Sequence, residues 1–314
     1  MSELSKLNLP VIQSKKSVVK HQTGAKKIAA IDLSKNTAVH KILNTKDSIQ
    51  HELIDKNRGL DLMLVGDLTA SMTEYHVLLK RKFKELCIKL FSLIKNLRVG
   101  IIFYLDYDRH LPYVTSICQP TSDVERIYSF IETTPVDNFG NSTFEEAVET
   151  ALNDLLHNIQ WKELHTRSVV LFGDARPHNC HECPEGYDFW GITKDLYSFS
   201  TTINSVYCGK YFEQSMQDLY SIEIGDFRKR IENLNHDAFF SWIANVTGGM
   251  ALAIKDIDDL IDIIITSAAK DAGKLDDLEM TVKNEPKKLN LVKLAKKAEL
   301  RKLSTGNRKL IEGK

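Results

Sequence analysis

Asp67, Thr69 and Ser71 stand in a D-x-T-x-S spacing directly after the apolar run LDLMLVG. Asp174 ends a second such run, in LFGDARPH, and Ser142 and Thr143 lie in the turn NFGNST. All of these side chains offer oxygen. Two carboxylates with two or three hydroxyls suit a hard divalent cation, Mg²⁺ first, with Mn²⁺ or Ca²⁺ as substitutes. A tight bend from strand into helix lets Asp67, Thr69 and Ser71 aim at one point. Hydroxyl ligands leave the ion under-neutralised, so it keeps affinity for a carboxylate from outside. The competing reading is that Asp67 and Ser71 cap the following helix. Asp106, after the run IIFYL, belongs either to an acidic rim of that site or to a solvated loop.

A second cluster follows Asp174. The stretch RPHNCHECPEG places His178, Cys180, His181 and Cys183 within six positions, and Cys208 ends a later apolar run. His178, Cys180, Cys183 and Cys208 together would make a Cys₃His set for Zn²⁺. There is no second CxxC, so a plain loop with free thiols stands beside that reading. No Gly-rich phosphate loop, G-x-S-x-G elbow or kinase signature occurs. The chain therefore reads as a non-enzyme. A metal-assisted hydrolase is the alternative, with Asp106 or Glu146 as the base.

The elements that must hold these residues are legible. LDLMLVG, LRVGIIFYL, RSVVLFGD and TTINSVYC are short apolar runs, the mark of strands buried on both faces. Between them lie helical stretches, such as Tyr75, Leu78, Leu79, Phe83, Leu86 and Leu90 at three- and four-residue steps. DVERIYSFIETT reads as a helix begun by Asp123 or Ser122. NFGNST opens a helix striped by Ala147, Val148, Ala151, Leu152 and Leu155. AFFSWIANV is a helix stopped by Gly248 and Gly249. Strands alternating with helices predict an α/β fold: a doubly wound, mostly parallel sheet with helices on both faces. In such sheets ligands sit at the carboxyl ends of the strands, where Asp67 and Asp174 fall.

The chain has 314 residues, 43% of them hydrophobic and 27% charged, which marks a globular protein. Its net charge of zero hides a split. Residues 1–58 carry eleven Lys and Arg against five Asp and Glu, and residues 270–314 carry thirteen against seven. Residues 59–269 carry eighteen against thirty. An acidic body thus has two basic ends. The expected layout is a partly ordered basic N-terminal extension over 1–57, one α/β domain over 58–270, and a linker with a basic helical tail over 271–314. The tail is read either as a solvated helix, as one packed on the body, or as a contact for nucleic acid or an acidic partner. No membrane span and no signal peptide are read, and five unframed cysteines suit a reducing compartment, so the expected location is cytoplasmic.

The segments LMLVGDLTASM, GNSTFEEAVETAL, VVLFGDARPH and ANVTGGMALAI resemble the von Willebrand factor A (vWA) domain with its metal-ion-dependent adhesion site (MIDAS). The resemblance covers about residues 58–270. The spelling D-x-T-x-S-M with DARPH is similar to an intracellular branch that includes alpha-kinase-associated and tellurite-resistance-type domains. It implies a Rossmann-like fold and Mg²⁺ held by Asp67, Thr69, Ser71, Thr143 and Asp174, with Asp67 often acting through water. Thr69 replaces the commoner Ser and keeps the hydroxyl. Asn-Ser-Thr replaces the usual Gly-Gly before the second-loop ligand, which puts Ser142 in competition with Thr143. The implied function is a recognition scaffold that binds an Asp or Glu of a protein partner, in the closest-looking branch within bacterial stress or defence systems.

Overall fold

The run LDLMLVG forms the centre of a sheet. Strand β1, Gly59–Asp67, is buried from Leu60 onward. Its side chains alternate between two cores, with Leu60, Leu62 and Leu64 on one face and Met63 and Val65 on the other. A run that is apolar at every position is what a strand covered on both faces requires. A computed structural model describes residues 58–108, 110–137, 143–209, 236–254 and 257–303. The expected N-terminal extension and Ser142 lie outside the described residues.

From β1 a single 3₁₀ turn, Ala70–Met72, leads into helix α1, Thr73–Leu93. Next come β2 (Leu97–Tyr104), β3 (Thr115–Thr121) and α2 (Val124–Thr133). Helix α3 spans Val148–His157, followed by β4 (His165–Gly173) and α4 (Phe189–Ser198). Strand β5 is Thr201–Tyr207, α5 is His236–Thr247 and β6 is Ala251–Ala253. Helices α6 (Asp259–Asp271), α7 (Leu275–Val282) and α8 (Pro286–Leu303) complete the described chain.

The strand order is β3-β2-β1-β4-β5-β6, and every neighbouring pair is parallel except β2 with β3. This is the expected α/β class. Helices α1, α2 and α6 bury their apolar residues on one face, and α3, α4 and α5 on the other. Each fully buried Leu, Ile or Phe contributes about 1.5–3 kcal/mol of burial free energy, so both faces are needed to hold the sheet. Gly249 sits with its backbone against the Ile203 carbonyl, where any Cβ would collide. That is why residue 249 is glycine; Gly248, at φ 76°, takes the left-handed conformation that ends a helix.

The order runs outward from β1 through β2 and from β1 through β4 in opposite directions. The switch point therefore lies between β1 and β4, where crevices form beyond the carboxyl ends. Asp67 ends β1 and Asp174 follows β4.

Two local features differ from the sequence reading. Helix α3 does not begin at the NFGNST turn but at Val148. The intervening residues pair instead with the loop after β4, where Glu146 N donates to the Arg176 carbonyl at 3.2 Å beside a parallel bridge to Pro177. The basic tail takes the packed form. Val292, Ala295 and Ala298 of α8 are buried in the same core as α6. Its lysines reach acids of the two preceding helices, Lys287 to Asp259 of α6 at 2.5 Å and Lys296 to Asp276 and Glu279 of α7 at 2.6 and 2.7 Å. The described part of 271–314 thus extends the core instead of standing apart from it.

Candidate metal site

The bend after β1 is set by Asp67 itself. Its Oδ1 accepts from the backbone N–H of Thr69 at 2.8 Å and from the Thr69 hydroxyl at 2.6 Å. A short carboxylate bonding its own backbone two residues on is the device that turns a strand tightly. The Thr69 and Ser71 hydroxyls then lie 3.4 Å apart. Ser71 is exposed, whereas Asp67 and Thr69 are buried. The 3₁₀ turn has no side-chain cap at Thr69, and none is seen at Met72 before α1, so the cap-only reading of Asp67 and Ser71 does not describe this loop.

The second carboxylate oxygen of Asp67 has no hydrogen-bond partner among the described residues and is shielded from solvent. Burial pushes the Asp67 carboxyl up to about 8, and the charges of Asp174 and, more weakly, Asp106 push the same way. Three carboxylates therefore share one field at the switch point. A buried anionic oxygen with no donor is costly, and a cation placed there relieves both the desolvation and the repulsion.

The second loop is stitched to the third. Arg176 is fully buried and donates to Glu145 Oε1 and to the Pro177 carbonyl, each at 2.7 Å. This tie, with the Glu146–Pro177 bridge, brings Thr143 to the same edge as Asp174. The Thr143 hydroxyl donates to Asp106 Oδ2 at 2.7 Å. Asp106 is buried, not solvated, and its Oδ1 accepts from Tyr107 N at 2.7 Å.

The sequence matches no family model and no curated protein. Solved structures are similar to it. One is proximal thread matrix protein 1 from the mussel byssus, at 13% identity and a TM-score of 0.44, covering 68% of this chain and 48% of that one. This chain thus spans about half of that protein, which has also been solved with zinc in its MIDAS motif. BatB from Bacteroides thetaiotaomicron is similar at 14% identity and a TM-score of 0.45, covering 68% of this chain and 100% of its own. The SpRpn10 VWA domain follows at 12% identity and 0.40, covering 65% and 94%. The fold class is fixed by strand order and register, independently of these likenesses.

His178, Cys180, Cys183 and Cys208 are not brought together. Cys180 is exposed, Cys183 is buried against the Tyr107 hydroxyl at 3.0 Å, and the Cys208 thiol faces the Val206 carbonyl. Among the described residues no group of three or more His, Cys, Asp or Glu side chains is placed to hold a metal ion. The oxygen set above holds hydroxyls as well as carboxylates and is of a different kind. His178 instead bridges two carboxylates, with Nε2 3.3 Å from Asp106 Oδ1 and Nδ1 3.3 Å from Glu149 Oε1. Burial works against its protonation, but Glu149, Asp106 and Glu145 outweigh it and hold the imidazole above its ordinary range. Glu149 is fully buried, accepts from His178 N at 3.1 Å and takes the Tyr107 hydroxyl at 2.7 Å. The imidazole therefore braces the carboxylate that holds Thr143. Its position five residues before Cys183 has the spacing of a ligand; its partners come from the distant residues 106 and 149.

Proposed function

We propose that the chain is a vWA-type recognition module that holds Mg²⁺ and uses it to bind an Asp or Glu of a protein partner. The observation that carries this reading is Asp67 Oδ2, buried, without a donor among the described residues and in the field of two further carboxylates. The residues that fit the ion are Asp67, Thr69, Ser71, Thr143 and Asp174. Mn²⁺ or Ca²⁺ would be accepted by the same hard oxygen set. Asp67 and Asp174 supply the charge, Thr69 and Ser71 the neutral oxygens, and Asp106 orients Thr143. Bound there, the cation would supply a Lewis-acidic position that a partner carboxylate completes.

Exposure at Ser71 and Thr143 leaves that edge open to a macromolecule. Phe144, next to Thr143, is a large apolar side chain in solvent, at 82% exposure. An apolar contact beside a charged anchor is the composition of a recognition surface. A cytoplasmic setting within a stress or defence assembly belongs to the same reading. Among the described residues no helix is long and apolar enough to cross a membrane.

The test is an affinity capture from native lysate with the full chain, run with Mg²⁺ and with EDTA, in wild type and Asp67→Ala. A partner lost on both chelation and substitution is the expected result. A partner set indifferent to both would sink the reading.

A further inference from the structure

Tyr104 closes β2 and is fully buried, and its hydroxyl makes no hydrogen bond among the described residues. Asp67 Oδ2 is in the same condition. The two residues are register partners on adjacent parallel strands, so their side chains rise from the same face of the sheet. On the other side of Asp67 lies Gly173, since Gly66 pairs with Phe172 on β4. A Cβ built on Gly173 would collide with the Tyr104 hydroxyl and would stand 3.5 Å from Asp67 Oδ2. The phenol therefore passes over Asp67 into the space that the glycine leaves.

Two buried polar atoms without a hydrogen-bond partner among the described residues thus border one notch. Burial, then Asp67, Glu146 and Asp174, keep the phenol firmly protonated, so it is a donor and not a charged competitor. A water held between a donor and an acceptor has the two polar partners such a site requires.

We propose that Tyr104 is a positioning residue of the cation site: its hydroxyl, lodged above Gly173, donates through one bridging water to Asp67 Oδ2 and fixes that carboxylate for Mg²⁺. The inference rests on the cation reading above and adds a residue to it. It explains why the position beside Asp67 is glycine. It also gives a neutral donor a place among three carboxylates, where a lysine or arginine would displace the ion.

The experiment measures Mg²⁺ affinity of the full chain by calorimetry in wild type, Tyr104→Phe, Gly173→Ala and the double variant. Thermal midpoints without metal are recorded in parallel. Tyr104→Phe keeps the ring and its packing. Each single variant is expected to bind about tenfold more weakly, as removal of an outer hydrogen-bond partner does. The double variant is expected to bind no more weakly than either single one, because both changes break the same bridge. Unchanged affinity in Tyr104→Phe, or a shift in its midpoint alone, would assign the residue to packing and overturn the inference. Losses that multiply in the double variant would overturn the shared bridge. Failure of the wild type to bind Mg²⁺ would remove the cation reading and this inference with it, whereas the other two results strike the inference alone.

Discussion

The Thr143 hydroxyl donates a hydrogen bond to Asp106 at 2.7 Å, and that bond decides what Thr143 can offer. A hydroxyl that donates to a carboxylate keeps its lone pairs for a cation. Asp106 is held in turn by Tyr107 N and His178. The second-loop ligand therefore arrives already oriented, on a side chain whose support is buried.

Removing that support is expected to weaken the ion without unfolding the protein. Asp106→Asn keeps an acceptor but loses the charge, and should lower Mg²⁺ affinity about tenfold. Thr143→Ala should lower it at least as much. Calorimetric titration of both variants checks this. Wild-type affinity in both would exclude Thr143 from the ligand set.

The Asp67 carboxyl, pushed up to about 8, sets a pH dependence. A cation needs the ionised form, so proton and metal compete. Mg²⁺ affinity should rise with pH, by at most about tenfold per unit, and level off above about 8. The sign for stability is the reverse. The folded protein prefers the neutral acid, so without metal the stability that this group contributes is complete below the ordinary value of 3.8 and is lost as pH rises toward about 8. Asp67→Asn, a mimic of the neutral acid, should flatten that loss. Thermal midpoints from pH 5 to 8, with EDTA, compare the two; parallel curves would refute the assignment to Asp67.

His178 contributes in a separate place. Its pKa is raised in the fold, so the stabilisation it brings is complete below the ordinary value of 6.5 and is lost as pH climbs through the raised one. His178→Ala leaves Glu149 buried with less compensation, which typically costs about 3 kcal/mol or more. Urea denaturation at pH 6 should show a large loss in this variant and a smaller one at pH 9. Equal losses at the two pH values would place the effect in packing.

Which of these features the sequence displays depends on how far apart their causes lie. The D-x-T-x-S bend is local: a buried strand, then polar residues at fixed steps, then an amphipathic helix. It stands out because strand and helix have different periods. The role of Asp106 is not local. Its partners Thr143 and His178 lie 37 and 72 residues away, so nothing around it signals burial. Glu149 leaves one trace, an acid inside the apolar stripe Val148, Ala151, Leu152 that the helix dipole alone would explain. The pairing of Tyr104 with Asp67 depends on register, which no single segment carries. The late start of α3 has the same origin, since the competing partner of Glu146 is Pro177, in the loop after β4.

The C-terminal helix separates charge from packing. Lys293 and Lys297 lie one turn apart on the exposed side of α8, while Val292 and Ala295 are fully buried. Truncation before residue 283 would therefore strip the core and cannot isolate a role for the basic residues. Val292→Ala removes two methyl groups from that core and should cost about 2 kcal/mol, read as a lower urea midpoint. Lys293→Glu with Lys297→Glu should leave the midpoint where it is, because exposed charges add little to stability. If the helix also meets nucleic acid, the double charge reversal would lower the slope of binding against salt by about two, one for each lost phosphate contact. A midpoint that falls with the charge reversal and not with Val292→Ala would mean that α8 is held by its ion pairs, contrary to the burial of its apolar face.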